Sequence, residues 1–152
     1  MKKELFTQNG ILPHLIWAAI GALAAFVITL VFNVTGLTAL ESFQNTESPL
    51  YNVSNSIWVL IAIYCFATPI IEEIIFRYFI FWLLIKHIKK AAVAIILTAA
   101  LFGLYHLHPV QILYGFLMGL LITYSYYVNR RLTIPIVVHA AANAVALAFT
   151  FI

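Results

Sequence analysis

Three short groups of polar residues interrupt an otherwise apolar sequence, and each has the spacing of one helix face. The first group holds Glu72, Glu73 and Arg77. Glu73 and Arg77 are i and i+4, so a helix places them on one face, where they can form an ion pair. Glu72 points about 100° away from Glu73 and needs a partner on another segment. An unpaired carboxylate in such a place is a candidate general base.

The other two groups carry imidazole and amide side chains. His106 follows Phe102 at i+4, and Asn143 follows His139 at i+4. A histidine and an asparagine on one helix face can both donate hydrogen bonds to a single acceptor. Taken alone, each group could equally serve helix packing, because polar side chains also join helices in membranes. His108, next to a proline, is interpreted as an interfacial residue.

The composition indicates that these groups lie in a membrane. Of the 152 residues, 64% are hydrophobic and 9% are charged, whereas soluble domains have about 25% charged residues. A soluble enzyme, a nucleic-acid-binding protein and a disordered linker are therefore excluded. The net charge of +3 comes from basic residues beside the apolar segments, which is typical of membrane orientation signals. The single cysteine, Cys65, excludes an internal disulfide.

Five apolar segments have lengths near the roughly 20 residues that cross a bilayer. We predict an all-α, polytopic membrane helix bundle of about five spans, at residues 11–32, 57–85, 91–107, 110–128 and 133–152. At 1.5 Å per residue, residues 57–85 would reach about 44 Å, so this span should tilt, project or break. Pro69 is the predicted break, because proline lacks a backbone N–H.

The chain divides into an N-terminal anchor helix with an extracytoplasmic loop, residues 1–56, and a protease-like core, residues 57–152. A cleaved signal peptide is the alternative for the first helix, but its apolar run is longer than a usual signal core. The basic pairs Lys2–Lys3 and Arg130–Arg131 and the basic loop 86–90 fall on one side. The positive-inside rule therefore predicts a cytoplasmic N-terminus and an external C-terminus. The short loops favour a bacterial cytoplasmic membrane.

The three polar groups should reach overlapping depths in the membrane. Counting the helical rise from the basic loops puts Glu72 about 21 Å deep and His106 about 24 Å deep. The same count gives about 18 Å for Asn143 and about 12 Å for His139. Charged groups at such depths are costly and usually functional. We therefore predict one site built from three helices.

The ordered motifs Glu-Glu-x-x-x-Arg, Phe-x-x-x-His and His-x-x-x-Asn resemble those of the CAAX-protease and bacteriocin-processing family, also called the Abi family of intramembrane proteases. The likeness covers residues 69–148, and the chain is smaller than relatives that cleave prenylated proteins. The resemblance implies an intramembrane endopeptidase in which Glu72 activates a water that His106 also holds. His139 and Asn143 would stabilise the oxyanion. Glu73, Arg77 and Phe102 would support the site.

The resemblance also implies a peptide or membrane-protein substrate, of the prenylated or bacteriocin type, and no nucleic-acid partner. A reaction without a cofactor is favoured. The alternative is a zinc ion held by Glu72, His106 and His139, since three such ligands plus water form a catalytic zinc set. An aspartyl mechanism is excluded because the sequence has no aspartate. Two other functions stay open: a non-catalytic bacteriocin-immunity or sensor-modulating partner, and a proton or ion pathway.

Overall fold

Helices and turns account for the residues that the computed structural model describes, 10–39 and 56–150, and no strand occurs among them. The five main helices are α1 (Leu12–Val34), α2 (Ile57–Ile88), α3 (Ala91–Leu104), α4 (Pro109–Asn129) and α5 (Thr133–Thr150), and a short 3₁₀ turn (Leu37–Ala39) follows α1. The predicted all-α helix bundle is confirmed. The first two lysines and most of the polar loop before residue 56 lie outside the described residues.

Three of the helices, α1, α2 and α4, are long and apolar enough to cross a membrane. The other two are shorter apolar helices of 14 and 18 residues, which reach about 21 and 27 Å. The predicted end of the third span was Leu107, but α3 ends at Leu104. His106 therefore lies in the turn that follows α3, not on the helix itself.

The prediction that Pro69 breaks the second span is wrong, because α2 continues through it to Ile88. α2 holds two π-helical stretches, Ala62–Ala67 and Ile74–Phe81, on either side of an α-helical stretch, Thr68–Glu73. In a regular α-helix a proline ring clashes with the carbonyl four residues earlier. A π turn just before the proline is wider and moves that carbonyl, so the helix passes Pro69 without breaking.

The helices pack as two pairs joined by α2, a parallel pair of α1 and α5 and an antiparallel pair of α3 and α4. α1 lies along α5 and α3 lies along α4, while the first half of α2 contacts α5 and its second half contacts α3. Glycines make the tightest crossings: a Cβ on Gly21 would lie 2.7 Å from the Val138 carbonyl oxygen, and one on Gly103 would lie 2.6 Å from that of Ile112. Such close backbone contact is a main source of helix association in lipid.

The main apolar core lies between α1, α4 and α5. Its buried members are Trp17, Ala25, Met118, Ile122, Ile134, Val138 and Ala142. Gly115 and Gly119 of α4 form a helix-packing notch, in which they face Gly103 and Ala99 of α3. α5 is thus held by α1 and α4 on one side and by α2 on the other, which fixes the helix that carries His139 and Asn143.

Candidate active site

A chain of buried polar contacts joins α2 to α5. Nη1 of Arg77 donates to Oε1 of Glu73 at 2.8 Å, as the i, i+4 spacing predicted. The same oxygen accepts a second hydrogen bond from Nδ1 of His139, also at 2.8 Å. The side chains of Glu73 and Arg77 are 0% exposed. Glu73 therefore neutralises the arginine and, across the helix interface, orients the imidazole of His139.

Glu72 approaches the same imidazole at its other nitrogen. Its Oε2 lies 3.7 Å from Nε2 of His139, and Glu72 is 7% exposed. The predicted need of Glu72 for a partner on another helix is thus met by α5. Oε2 accepts no hydrogen bond from the described residues, so it can accept a proton from a small donor such as water.

The bond to Glu73 fixes the proton on one nitrogen of His139. A carboxylate only accepts hydrogen bonds, so Nδ1 of His139 carries a hydrogen. Nε2, which faces Glu72, is an acceptor in the neutral ring and becomes a donor when the ring takes a second proton. His139 is therefore held in a single orientation, with one nitrogen left for chemistry.

His106 is held by the turn after α3. Its Nδ1 lies 2.9 Å from the Phe102 carbonyl oxygen, and because a carbonyl only accepts, this nitrogen donates and the neutral ring keeps Nε2 as an acceptor. The His108 N–H donates to the His106 carbonyl at 2.8 Å, with Leu107 between them at φ 64°. This γ-turn is a strained conformation for leucine, and it fixes the direction in which the chain leaves His106.

Phe102 is the common packing partner of the charged and imidazole groups. The residue is 2% exposed, and its ring meets His106 edge to face at 5.1 Å and His139 at 5.5 Å between centroids. The guanidinium carbon of Arg77 lies 4.4 Å from the centre of the same ring, a cation–π contact. Phe102 thus spaces the two imidazoles and covers the buried cation.

Asn143 is anchored to α2 by a backbone group. Its Nδ2 donates to the Tyr64 carbonyl oxygen at 2.8 Å, which leaves one N–H of the amide for another acceptor. A cavity of about 30 Å³ lies beside it, lined in part by His106 and His139, and this space is large enough for a water molecule. Glu72 does not line the cavity and meets the cluster at His139.

The structure brings together every residue predicted for the site, but two of its contacts were missed. The i, i+4 spacing of Glu73 and Arg77 predicts their ion pair but carries no sign of the bond between Glu73 and His139. This spacing is a property of one helix. It also missed the Tyr64 carbonyl, since a backbone acceptor has no residue signature. Pro69, which was interpreted as a break, was the one available signal of an irregular backbone in α2.

Of the other histidines, His14 lies away from this cluster, and His108 lies two residues after His106 without joining it. His14 contacts Thr133 at the start of α5, with Nε2 2.9 Å from Oγ1. A groove of about 700 Å³ also lies there, next to Arg131. It contains no residue of the polar cluster and is open to the bundle surface.

The alternative of a bound zinc ion concerns the donor side chains of the described residues. Within residues 10–39 and 56–150, no three His, Cys, Asp or Glu side chains are arranged to hold a metal ion. Glu72, His106 and His139, the alternative zinc ligands, form no such group there, and the reaction without a cofactor stays a prediction. Glu73 in addition engages Nδ1 of His139 in a hydrogen bond.

Comparison with known protein families gives a match over residues 54–145 to the family described as type II CAAX prenyl endopeptidase Rce1-like. The matched segment covers more than half of the chain and contains every residue of the polar cluster. No curated protein and no solved structure matches the chain. The family predicted from the three motifs is confirmed: the chain belongs to the type II CAAX prenyl endopeptidase Rce1-like family of membrane proteases.

Proposed function

We propose that this protein is an intramembrane endopeptidase that hydrolyses peptide bonds with water activated by Glu72. The observation that carries the proposal is the position of His139 between two carboxylates, 2.8 Å from Glu73 and 3.7 Å from Glu72. Oε1 of Glu73 accepts hydrogen bonds from Arg77 and His139, whereas Oε2 of Glu72 accepts none from the described residues. Such a division, with one acid held and one acid free to exchange protons, suits general base catalysis.

The first step is attack of water on the scissile carbonyl. Oε2 of Glu72 and Nε2 of His106 are both acceptors, so a water that reaches both would donate one hydrogen bond to each and direct a lone pair at the substrate. As the new carbon–oxygen bond forms, Glu72 takes one proton. General base catalysis of this kind contributes typically 10²–10⁴-fold to rate.

The second step is collapse of the tetrahedral intermediate. The free N–H of Asn143 donates to the oxyanion, and Nε2–H of His139 joins it when the ring enters the reaction as an imidazolium, a proton that His139 keeps throughout. The carbon–nitrogen bond then breaks, Glu72 returns its proton to the leaving amine, and a carboxylic acid and an amine are released. Removing one oxyanion donor costs about 10²–10³-fold in kcat in other hydrolases.

The supporting residues keep this geometry without touching the substrate. Glu73 orients His139, Arg77 neutralises Glu73, and Phe102 packs against both imidazoles. We propose a reaction without a metal, because the donor groups present do not form a ligand set. Glutamate is then the group that activates water, in place of a Lewis acid.

The proposed substrate is a peptide or membrane protein that reaches the site from the bilayer, and the family points to prenylated CAAX proteins. We place the protein in the bacterial cytoplasmic membrane with its N-terminus in the cytoplasm. The basic residues that follow α2 and α4 support this orientation, since they lie at one end of the bundle and cytoplasmic loops are rich in Lys and Arg. In this orientation α1 is the proposed anchor helix, and the loop predicted to follow it lies outside the described residues.

The test is a proteomic comparison of membranes that carry the wild type or Glu72→Gln. New peptide termini should appear only with the wild type, and His106→Ala should abolish them as well. His14→Ala, which removes an imidazole far from the cluster, is the matched control and should retain them. Identical termini in wild type and Glu72→Gln would overturn the proposal, and a phenotype that survives Glu72→Gln would favour a non-catalytic membrane partner.

A further inference from the structure

The Tyr64 carbonyl is open to a side-chain donor because the backbone of α2 offers it none. In an α-helix a carbonyl accepts from the N–H four residues ahead, and in a π-helix from the N–H five residues ahead. For Tyr64 these positions are residues 68 and 69. The Thr68 N–H instead donates to Ile63, and residue 69 is a proline.

The π turn and the proline act together. In a straight α-helix, Pro69 would leave the carbonyl of Cys65 without its donor, because the missing N–H belongs to the residue four ahead. The π turn over Ala62–Ala67 moves every acceptor one position earlier along the chain. The unpaired carbonyl is therefore that of Tyr64, which faces α5.

Asn143 satisfies this carbonyl. Its Nδ2 lies 2.8 Å from the Tyr64 oxygen, and in a membrane every backbone polar group must find a partner within the protein. Because the carbonyl only accepts, the NH₂ end of the amide must face it, and the direction of the second N–H is set at the same time. We propose that Pro69 is a positioning residue for Asn143, which acts through the Tyr64 carbonyl. Its effect on catalysis rests on the proposed role of Asn143 as an oxyanion donor.

Pro69→Ala tests this inference, because an alanine at 69 in the same backbone directs a new N–H at the Tyr64 carbonyl. We expect the side-chain amide of Asn143 to lose protection from hydrogen–deuterium exchange, measured by NMR in detergent micelles with the signal assigned from its loss in Asn143→Ala. We also expect kcat to fall by about tenfold or more, up to the 10²–10³-fold ceiling for one donor, with KM unchanged. Unchanged amide protection would overturn the inference.

Double variants separate positioning from a general loss of packing. Pro69→Ala combined with Asn143→Ala should be no less active than Asn143→Ala alone, because both changes remove the same donor. Independent, multiplying losses would contradict the inference. Pro69→Val, which keeps most of the ring volume while restoring the N–H, should behave like Pro69→Ala.

Two controls complete the experiment. Pro13→Ala removes a buried proline from the first turn of α1, where a missing N–H frees no carbonyl, and should leave kcat and amide exchange unchanged. Tyr64→Phe keeps the carbonyl and should retain the protected amide. If the wild type and Glu72→Gln are equally inactive, the proposed function fails, while the exchange measurement still decides the role of Pro69.

Discussion

Replacing each of the adjacent residues Glu72 and Glu73 by glutamine should affect the stability of the protein very differently. Glu73→Gln leaves Arg77, whose side chain is 0% exposed, without a counter-ion. Breaking a buried ion pair by removing one partner costs about 3–5 kcal/mol, and an arginine at the centre of a membrane helix costs about 2.5–3.5 kcal/mol on insertion scales. The two scales overlap, so we expect a loss near 3 kcal/mol, or about 150-fold in the unfolding equilibrium.

Glu72→Gln should leave stability almost unchanged. The 3.7 Å separation from His139 is too long for a hydrogen bond, so little attraction is lost, and the cost of burying a carboxylate is relieved. We expect a change within about 1 kcal/mol. Peptidase activity should nevertheless fall by about 10²–10⁴-fold, because the general base is gone.

The assay is unfolding in mixed micelles of rising SDS content, followed by far-ultraviolet circular dichroism. Glu73→Gln should unfold at a clearly lower SDS fraction than the wild type, whereas Glu72→Gln should unfold at the same SDS fraction as the wild type. Adding Arg77→Met to Glu73→Gln should recover most of the loss, because no uncompensated charge is left. Coincident unfolding of Glu73→Gln and wild type, or equal losses in both glutamate variants, would refute this reasoning.

Three further outcomes are expected. Gly103→Ala should cost about 1–3 kcal/mol in the same assay, because its Cβ would lie 2.6 Å from the Ile112 carbonyl oxygen, while Gly10→Ala, with no neighbour closer than 4.0 Å, should be neutral. Gly115→Ala places a Cβ 3.2 Å from Nδ1 of His106, so the factor by which kcat falls should exceed the factor by which the unfolding equilibrium shifts. Equal factors would mean that only packing is affected. Activity should survive 1,10-phenanthroline, and recovery with zinc after inhibition by the chelator would contradict the metal-free mechanism.

The local part of the site could be predicted from sequence because helix geometry is regular. The i, i+4 spacing of Glu73 and Arg77 was enough to give their ion pair, and the same spacing put His139 and Asn143 on one face. The membrane setting followed from composition alone. These inferences depend on the period of a helix and on the solvent, both of which are independent of how the helices pack.

Contacts between helices could be predicted only as overlapping depths. The count along straight axes left Glu72 and His139 about 9 Å apart in depth, whereas the two side chains lie 3.7 Å apart. Side-chain reach and the irregular turns of α2 account for the difference, and neither is encoded by a period. The bond between Glu73 and His139 was missed for the same reason, since it depends on the relative rotation of two helices.

α1 lies outside the segment that matches the family, yet its Gly21 is seated on Val138, the neighbour of His139. If α1 were deleted, lipid tails would take its place against α5. No apolar surface would become exposed to water, so the loss of solvation energy would be small. The change would instead remove the rigid packing surface that α1 provides for α5. A chain shortened in this way should still insert into the membrane and remain helical. The imidazole of His139 would be held less firmly, so turnover should fall by more than the stability of the fold.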